Sequence, residues 1–315
     1  MTPLIFFESL AQAIVAGLLI GTVYGLMCVG LGLIFGLMRV INFAQGEFLM
    51  LGMYGTFYVF TWLGFESAFG PIVATIISAI GMFFLGVFFH KILLSKYTGI
   101  HVAGTEGDGH YPQLILTLGL SLVLANGALI LFGNISQTVR TPFSATAWEL
   151  GPLIGDSFSV FFNKARTLAL IVSVVALFLV LAFVKRTTTG KSLRAAADNP
   201  TAATYMGIDV ERCHRIAFGL GAAVTALAGG LIASYYPFQP YIGLEFVVIM
   251  YAGVVLGGLG SISGAFWGGL VIGLIQQVST MFIPLQLQNA MIFLVFLLII
   301  LFRPQGLFGK NVERV

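Results

Sequence analysis

Gly190-Lys191-Ser192 holds the residue types that close a phosphate-binding loop, where backbone amides, a lysine ammonium and a hydroxyl grip a nucleotide. That loop needs a glycine five residues before the Gly-Lys pair and a strand leading into it; position 185 is lysine, and 167–184 is an uncharged apolar run. Gly30-Leu31-Gly32 and Gly258-Leu259-Gly260 begin like dinucleotide fingerprints, but in each the third glycine, Gly36 or Gly264, comes one residue late. His90, His101, His110 and His214 are dispersed, and Cys28 and Cys213 have no ligand spacing around them. No metal site, disulfide framework, catalytic triad or paired carboxylate emerges. The chain is not expected to be an enzyme.

What remains is a chain built to be crossed or to cross something. Of 315 residues, 58% are hydrophobic and 9% charged, with 15 Lys+Arg against 12 Asp+Glu. Soluble domains carry roughly a quarter charged residues. The mean hydropathy is +1.01. An ordinary soluble enzyme, a disordered chain and a nucleic-acid binder are excluded, and a polytopic membrane protein is left.

Gaps between formal charges locate the spans. Glu8 and Arg39 enclose 30 uncharged residues, and further gaps run over 48–65, 67–90, 109–139, 167–184, 216–244 and 246–302. A bilayer core about 30 Å thick takes roughly 20 helical residues. Spans are therefore expected near 10–37, 47–65, 70–90, 113–133, 166–184, 216–236, 245–258 with 264–282, and 287–302. This is an all-α helix bundle of about eight membrane helices, give or take one, forming one domain over residues 1–315. The gap 246–302 is long enough for more than one crossing, and is punctuated by "GGLGSISGAFWGG" over 257–269 and by Pro284.

Basic residues orient the bundle. Lys185, Arg186, Lys191, Arg194, Arg212 and Arg215 mark 185–215 as cytoplasmic. Counting outward puts 12 of the 15 basic residues on that side, with only Arg140, Lys164 and Arg166 opposite. The N-terminus is expected outside and the C-terminus inside. Ala11-Gln12-Ala13 imitates a signal cleavage site, but no basic residue precedes it and the apolar stretch before it is short, so the first helix is expected to be retained.

Two places break this regularity. Gly258, Gly260, Ser261, Ser263 and Gly264 crowd the first, which is expected not to be a continuous helix, with both serines near a polar cavity or a subunit interface. The second is "GLMRVINFAQGEF" over 36–48, where Arg39, Asn42, Gln45 and Glu47 abruptly follow an apolar run. It reads equally as a short cytoplasmic turn and as a polar break lining a pathway, with Asn42 and Gln45 better suited to a pathway than Arg39. Paired interruptions are what inverted-repeat transporters show, so an inverted repeat is one expectation. Elsewhere Gly17, Gly21 and Gly25, Gly260, Gly264 and Gly268, and Gly269 with Gly273 recur every four residues, a stripe that lets helix backbones approach.

Within 185–215, Asn199 before Pro200 predicts a helix start, with Ala202, Ala203, Tyr205 and Met206 extending a short helix that closes at Gly207. A basic stretch, "SLRAAADN", leads into it. Small alanines beside an apolar Tyr-Met pair make a surface suited to another protein's groove.

From these residues the chain resembles the high-affinity branched-chain amino acid permeases of ABC importers, the Liv type, and in particular the first of their two permease subunits. The resemblance rests on "GLIFGLMRVINFAQGEFLMLGMY", "LTLGLS", "GKSLRAAADNPTAATYMGID", "VVLGGLGSISGAFWGG" and "LFRPQGLFG", in that order over residues 12 to 309. It implies a bacterial inner-membrane pore shared with a second, related permease, two cytoplasmic ATPase subunits that carry ATP and Mg, and an extracytoplasmic solute-binding protein. It also implies that Arg194, Ala195, Ala196, Asp198, Asn199, Ala202, Ala203, Gly207 and Ile208 form the ATPase-coupling segment, with Ala202 and Ala203 packed into the ATPase. Thr201 stands where many importers begin this motif with Glu, so no carboxylate-to-Arg contact is carried over. Urea, short amides or other small polar solutes on the same architecture form the alternative. A self-sufficient ion-coupled transporter is the alternative from another class, for which Glu47 and Glu245 are the carboxylates near a span.

Overall fold

The computed structural model describes residues 3–64, 69–98, 110–151, 159–284, 287–303 and 305–308. They fold as α1 (Pro3–Met38), α2 (Gln45–Leu63), α3 (Gly70–Phe89, continued by a π turn at His90–Leu94), α4 (His110–Phe132), β1 (Ala147–Leu150), β2 (Val160–Asn163), α5 (Lys164–Arg186), α6 (Thr188–Asp198), α7 (Pro200–Tyr205), α8 (Val210–Ile232), α9 (Ile242–Gly257), α10 (Ile262–Ser279) and α11 (Gln288–Phe302). Among the described residues, six helical stretches are long and apolar enough to cross a membrane: Ile5–Met38, Gly70–Leu94, Tyr111–Phe132, Lys164–Arg186, Val210–Ile232 and Ile262–Ser279. Helices α9 and α11 are apolar but shorter. With α2, every expected span has its helix.

Helix α1 is the axis of the bundle. Some 89% of its most apolar stretch is buried, against 28% for α4 and 22% for α5, whose outer faces are left for lipid or another chain. It packs on α10, α8, α5 and α9. Its seam with α10 exists because both helices present glycines: with no side chains in between, Gly21 and Gly25 lie against Leu270 and Phe266, and Gly269 and Gly273 lie against Gly25 and Gly21. The sequence stripe is a packing device.

At one end of the bundle β1 and β2 pair antiparallel, with Ala147 opposite Asn163. Gln12 of α1 holds β2, its Nε2 donating to the Phe161 carbonyl and its Oε1 accepting from the Phe161 amide, both at 2.9 Å. Asn163 then caps α5, accepting from the Arg166 amide. The hairpin is an addition to the all-helical expectation; its four-residue strands leave no alternating signature, since β1 is exposed throughout.

The opposite end carries a second correction. Residues 185–215 are not mainly a loop. Thr187 caps α6, accepting from the Gly190 amide at 3.0 Å, so that "TTGKSLRAAAD" is helical. Gly190 lets α6 turn back on α5: a β-carbon there would meet the Val184 carbonyl oxygen at 2.6 Å. The glycine that imitated a phosphate loop is a close-packing residue.

Candidate translocation and coupling site

Helix α1 stops at Met38 because the chain turns left-handed. Arg39 has φ 55°, the one non-glycine with positive φ among the described residues, and its amide still donates to the Phe35 carbonyl at 2.9 Å. The chain then folds back into the bundle. Asn42 Oδ1 accepts from the Ala44 amide at 3.1 Å, and Asn42 Nδ2 donates to Gln45 Oε1 at 2.8 Å. Gln45 Nε2 donates to the Gly221 carbonyl at 3.2 Å and to Thr225 Oγ1. Thr225 lies nine residues past Ile216, where the uncharged run begins. At about 1.5 Å per residue that is about 14 Å, close to the middle of the hydrocarbon core. So α2 starts deep in the bundle, and amide side chains satisfy the backbone where the helix is broken.

Asn42 and Gln45 are thus tied up in hydrogen bonds at the break rather than open to a cleft. Both are 0% exposed and serve the break itself. Glu47, 1% exposed, sits in the same first turn of α2: Ser121 Oγ donates to its Oε1 at 3.3 Å, and its Oε2 has no partner among the described residues. A β-carbon on Gly243 would lie 2.8 Å from the Glu47 carboxyl, so the first turns of α2 and α9 touch only because Gly243 has no side chain.

The second break is real, as the glycine density predicts. Helix α9 ends at Gly257, Gly258 and Gly260 take φ of 99° and 91°, and Ser261 Oγ caps α10 by accepting from the Gly264 amide at 3.1 Å. Gly258 and Gly264 are buried in the packing, and Ser263 is exposed. The orphan carbonyls at the end of α9 are met from far along the chain. The Leu307 amide donates to the Leu256 carbonyl at 2.8 Å and the Phe308 amide to the Gly257 carbonyl at 3.3 Å. Gly306, φ 77°, fits against the Val255 carbonyl, where a β-carbon would lie 2.6 Å away. Sequence reading noticed this terminal block without seeing its partner; its glycine after a proline was the available signal.

The two breaks meet. A cleft of about 500 Å³ is walled by Phe35, Gly36, Arg39 and Ile41 after α1, by Leu259 and Gly260 between α9 and α10, and by Ala197 and Asp198 at the end of α6. Of the two serines expected near a polar cavity or a subunit interface, neither lines this cleft, whose wall takes Leu259 and Gly260; Ser261 caps α10 and Ser263 is exposed.

Asp198 leads directly into α7. Asn199 Oδ1 accepts from the Ala202 amide at 3.0 Å, with Pro200 in the first turn, as the residue pattern predicts. Gly207, φ 78°, ends the turn, and the Ile208 amide closes it on the Ala203 carbonyl at 3.0 Å. Ala196 and Ala203 are 1% and 4% exposed, buried in this chain's own core, so neither can fill another protein's groove. Arg194, Asp198, Asn199, Ala202 and Gly207 are exposed, while Ala195 and Ile208 are half-buried. The apolar tip is Tyr205 and Met206, 86% and 81% exposed.

The family model described as "Branched-chain amino acid transport system / permease component" matches residues 13–302, which take in both breaks and the α6–α7 segment. The chain belongs to this family. It is 28% identical to the high-affinity branched-chain amino acid transport system permease protein LivH of Salmonella typhimurium, over 98% of this chain and 99% of that one. It is also 28% identical to the corresponding protein BraD of Pseudomonas aeruginosa, over 96% and 97%. A shorter match, 29% identical over 51% of this chain and 46% of the relative, is to the fructose import permease protein FrcC of Rhizobium meliloti. No solved structure matches. A membrane permease component is thus what the buried breaks and the exposed α7 tip belong to.

Proposed function

We propose that this permease forms one half of the translocation pathway of an ATP-driven importer for branched-chain amino acids. The carrying observation is the shared cleft. The end of α6, the end of α1 and the α9–α10 break wall one space, so a push on α7 reaches both helix breaks through Asp198. Full-length similarity to LivH and BraD supports the amino-acid substrate over sugars, whose permease matches over about half the chain. A second, related permease completes the pore, two cytoplasmic ATPase subunits dock at α7 and hold ATP and Mg, and an extracytoplasmic binding protein delivers the solute. The clustering of Arg39, α6 and residues 305–308 at one end supports a cytoplasmic C-terminus and an outside N-terminus.

Reconstitution of the complete transporter in liposomes tests this. Leucine uptake is expected to require ATP, the second permease, the ATPases and the binding protein, and to be indifferent to proton and sodium gradients. Uptake of urea or glutamate in place of leucine would move the substrate assignment, and gradient-driven uptake without the ATPases would overturn the class.

A further inference from the structure

Glu245 is the sole formally charged residue between 216 and 302. It stands in the first turn of α9 on the exposed side, between Leu244 and Val248, which are 57% and 39% exposed. Ile242, Gly243, Phe246 and Val247 on the other side are buried. No lysine or arginine of α9, α10 or α11 is available to pair with Glu245. The one ion pair among the described residues is Glu211–Arg215. Any cation that pairs with Glu245 comes from outside this stretch.

The surroundings indicate which cation. Asn289, in the first turn of α11, shares with Glu245 a cavity of about 110 Å³ whose other walls are Val248, Ile249, Ile292 and Phe293. That volume has room for several waters or an aliphatic side chain. Ile292 is 2% exposed, so the apolar wall is anchored in the core. One carboxylate, one amide and an aliphatic-aromatic lining complement the three parts of a neutral amino acid. The cavity lies at the start of α9 and the coupling cleft at its end, 12 residues along, or about 18 Å at a helical rise of about 1.5 Å.

We propose that this cavity is a substrate subsite on the extracytoplasmic side of the pathway: Glu245 receives the α-ammonium of a branched-chain amino acid, Asn289 Nδ2 donates to its carboxylate, and Val248, Ile249, Ile292 and Phe293 hold the side chain. The proposal rests on the amino-acid importer reading and adds where the zwitterion is held. A site made to pair the ammonium discriminates strongly against an analogue that lacks it, because the carboxylate is then left without its partner.

The test uses the complete transporter in liposomes. Glu245→Gln is expected to cut leucine uptake at least tenfold while the yield of assembled complex holds; Glu245→Asp restores part of the rate. A cysteine introduced by Val248→Cys is expected to react with a membrane-impermeant thiol reagent from outside. Leucine slows that reaction, 4-methylpentanoate (leucine without its amine) does not, and adding Glu245→Gln abolishes the protection. Wild-type uptake of leucine by Glu245→Gln, or no protection by leucine, overturns the subsite alone. Failure of the Glu245→Gln complex to assemble overturns it too, by showing an intersubunit contact. A wild-type complex that moves no leucine overturns the importer reading itself.

Discussion

Gly269 of α10 faces Gly25 of α1 so closely that a β-carbon on Gly269 would lie 2.6 Å from both the Cα and the nitrogen of Gly25. The neighbouring pair, Gly273 and Gly21, is in similar contact. Neither backbone can yield without parting the two helices.

Gly269→Leu is therefore expected to lower stability by more than the about 1–3 kcal/mol typical of an overpacked core, because backbone must move rather than a side-chain tip. Gly81 and Gly119 provide the control, since a β-carbon there meets nothing within 4 Å. Gly81→Ala and Gly119→Ala are expected to match or exceed the wild type, by up to about 1 kcal/mol of helix propensity. Thermal unfolding in detergent measures both; an unchanged melting temperature for Gly269→Leu would show that the seam can open.

Arg39 keeps a left-handed backbone that glycine would adopt without strain. Arg39→Val is expected to lower the melting temperature, because a β-branched residue fits the left-handed region worse than arginine does, whereas Arg39→Gly melts no lower than the wild type. Both are expected to slow transport, since each removes the guanidinium from the cleft, and Arg39→Lys to retain part of the rate. Full activity in Arg39→Gly would reduce Arg39 to an orientation signal.

At the coupling tip, stability and partner binding separate by residue. Tyr205→Asp and Met206→Asp alter side chains that touch little of this chain, so the melting temperature is expected to hold while the ATPases elute separately. Ala203→Arg acts the other way, breaking the packing of α7 on the bundle first. If Tyr205→Asp and Met206→Asp both co-purify with the ATPases and transport normally, the docking surface lies elsewhere.

How much of this was legible from residue order depends on range. The spans, both breaks, the Asn199 cap and the turn at Gly207 follow from charge gaps, proline and glycine, all local signals. Burial of Ala203 was not legible, because an alanine reads the same on either face of a six-residue helix. Asn42 and Gln45 left two readings open for a related reason: polarity at membrane depth marks either a wet pathway or a backbone break in need of hydrogen bonds, and the partners that bind Gln45, Gly221 and Thr225, lie more than 170 residues away. The clamp by Leu307 and Phe308 is equally non-local.

That clamp has a consequence for biosynthesis. Residues 305–308 follow the α9–α10 break by nearly 50 positions, so the carbonyls of Leu256 and Gly257 wait for strands of chain not yet made. At a synthesis rate of about 5–20 residues per second the interval is about 2–10 s. During it the end of α9 is open to water or to an insertion chaperone, and a chain truncated after Phe302 stays in that condition permanently.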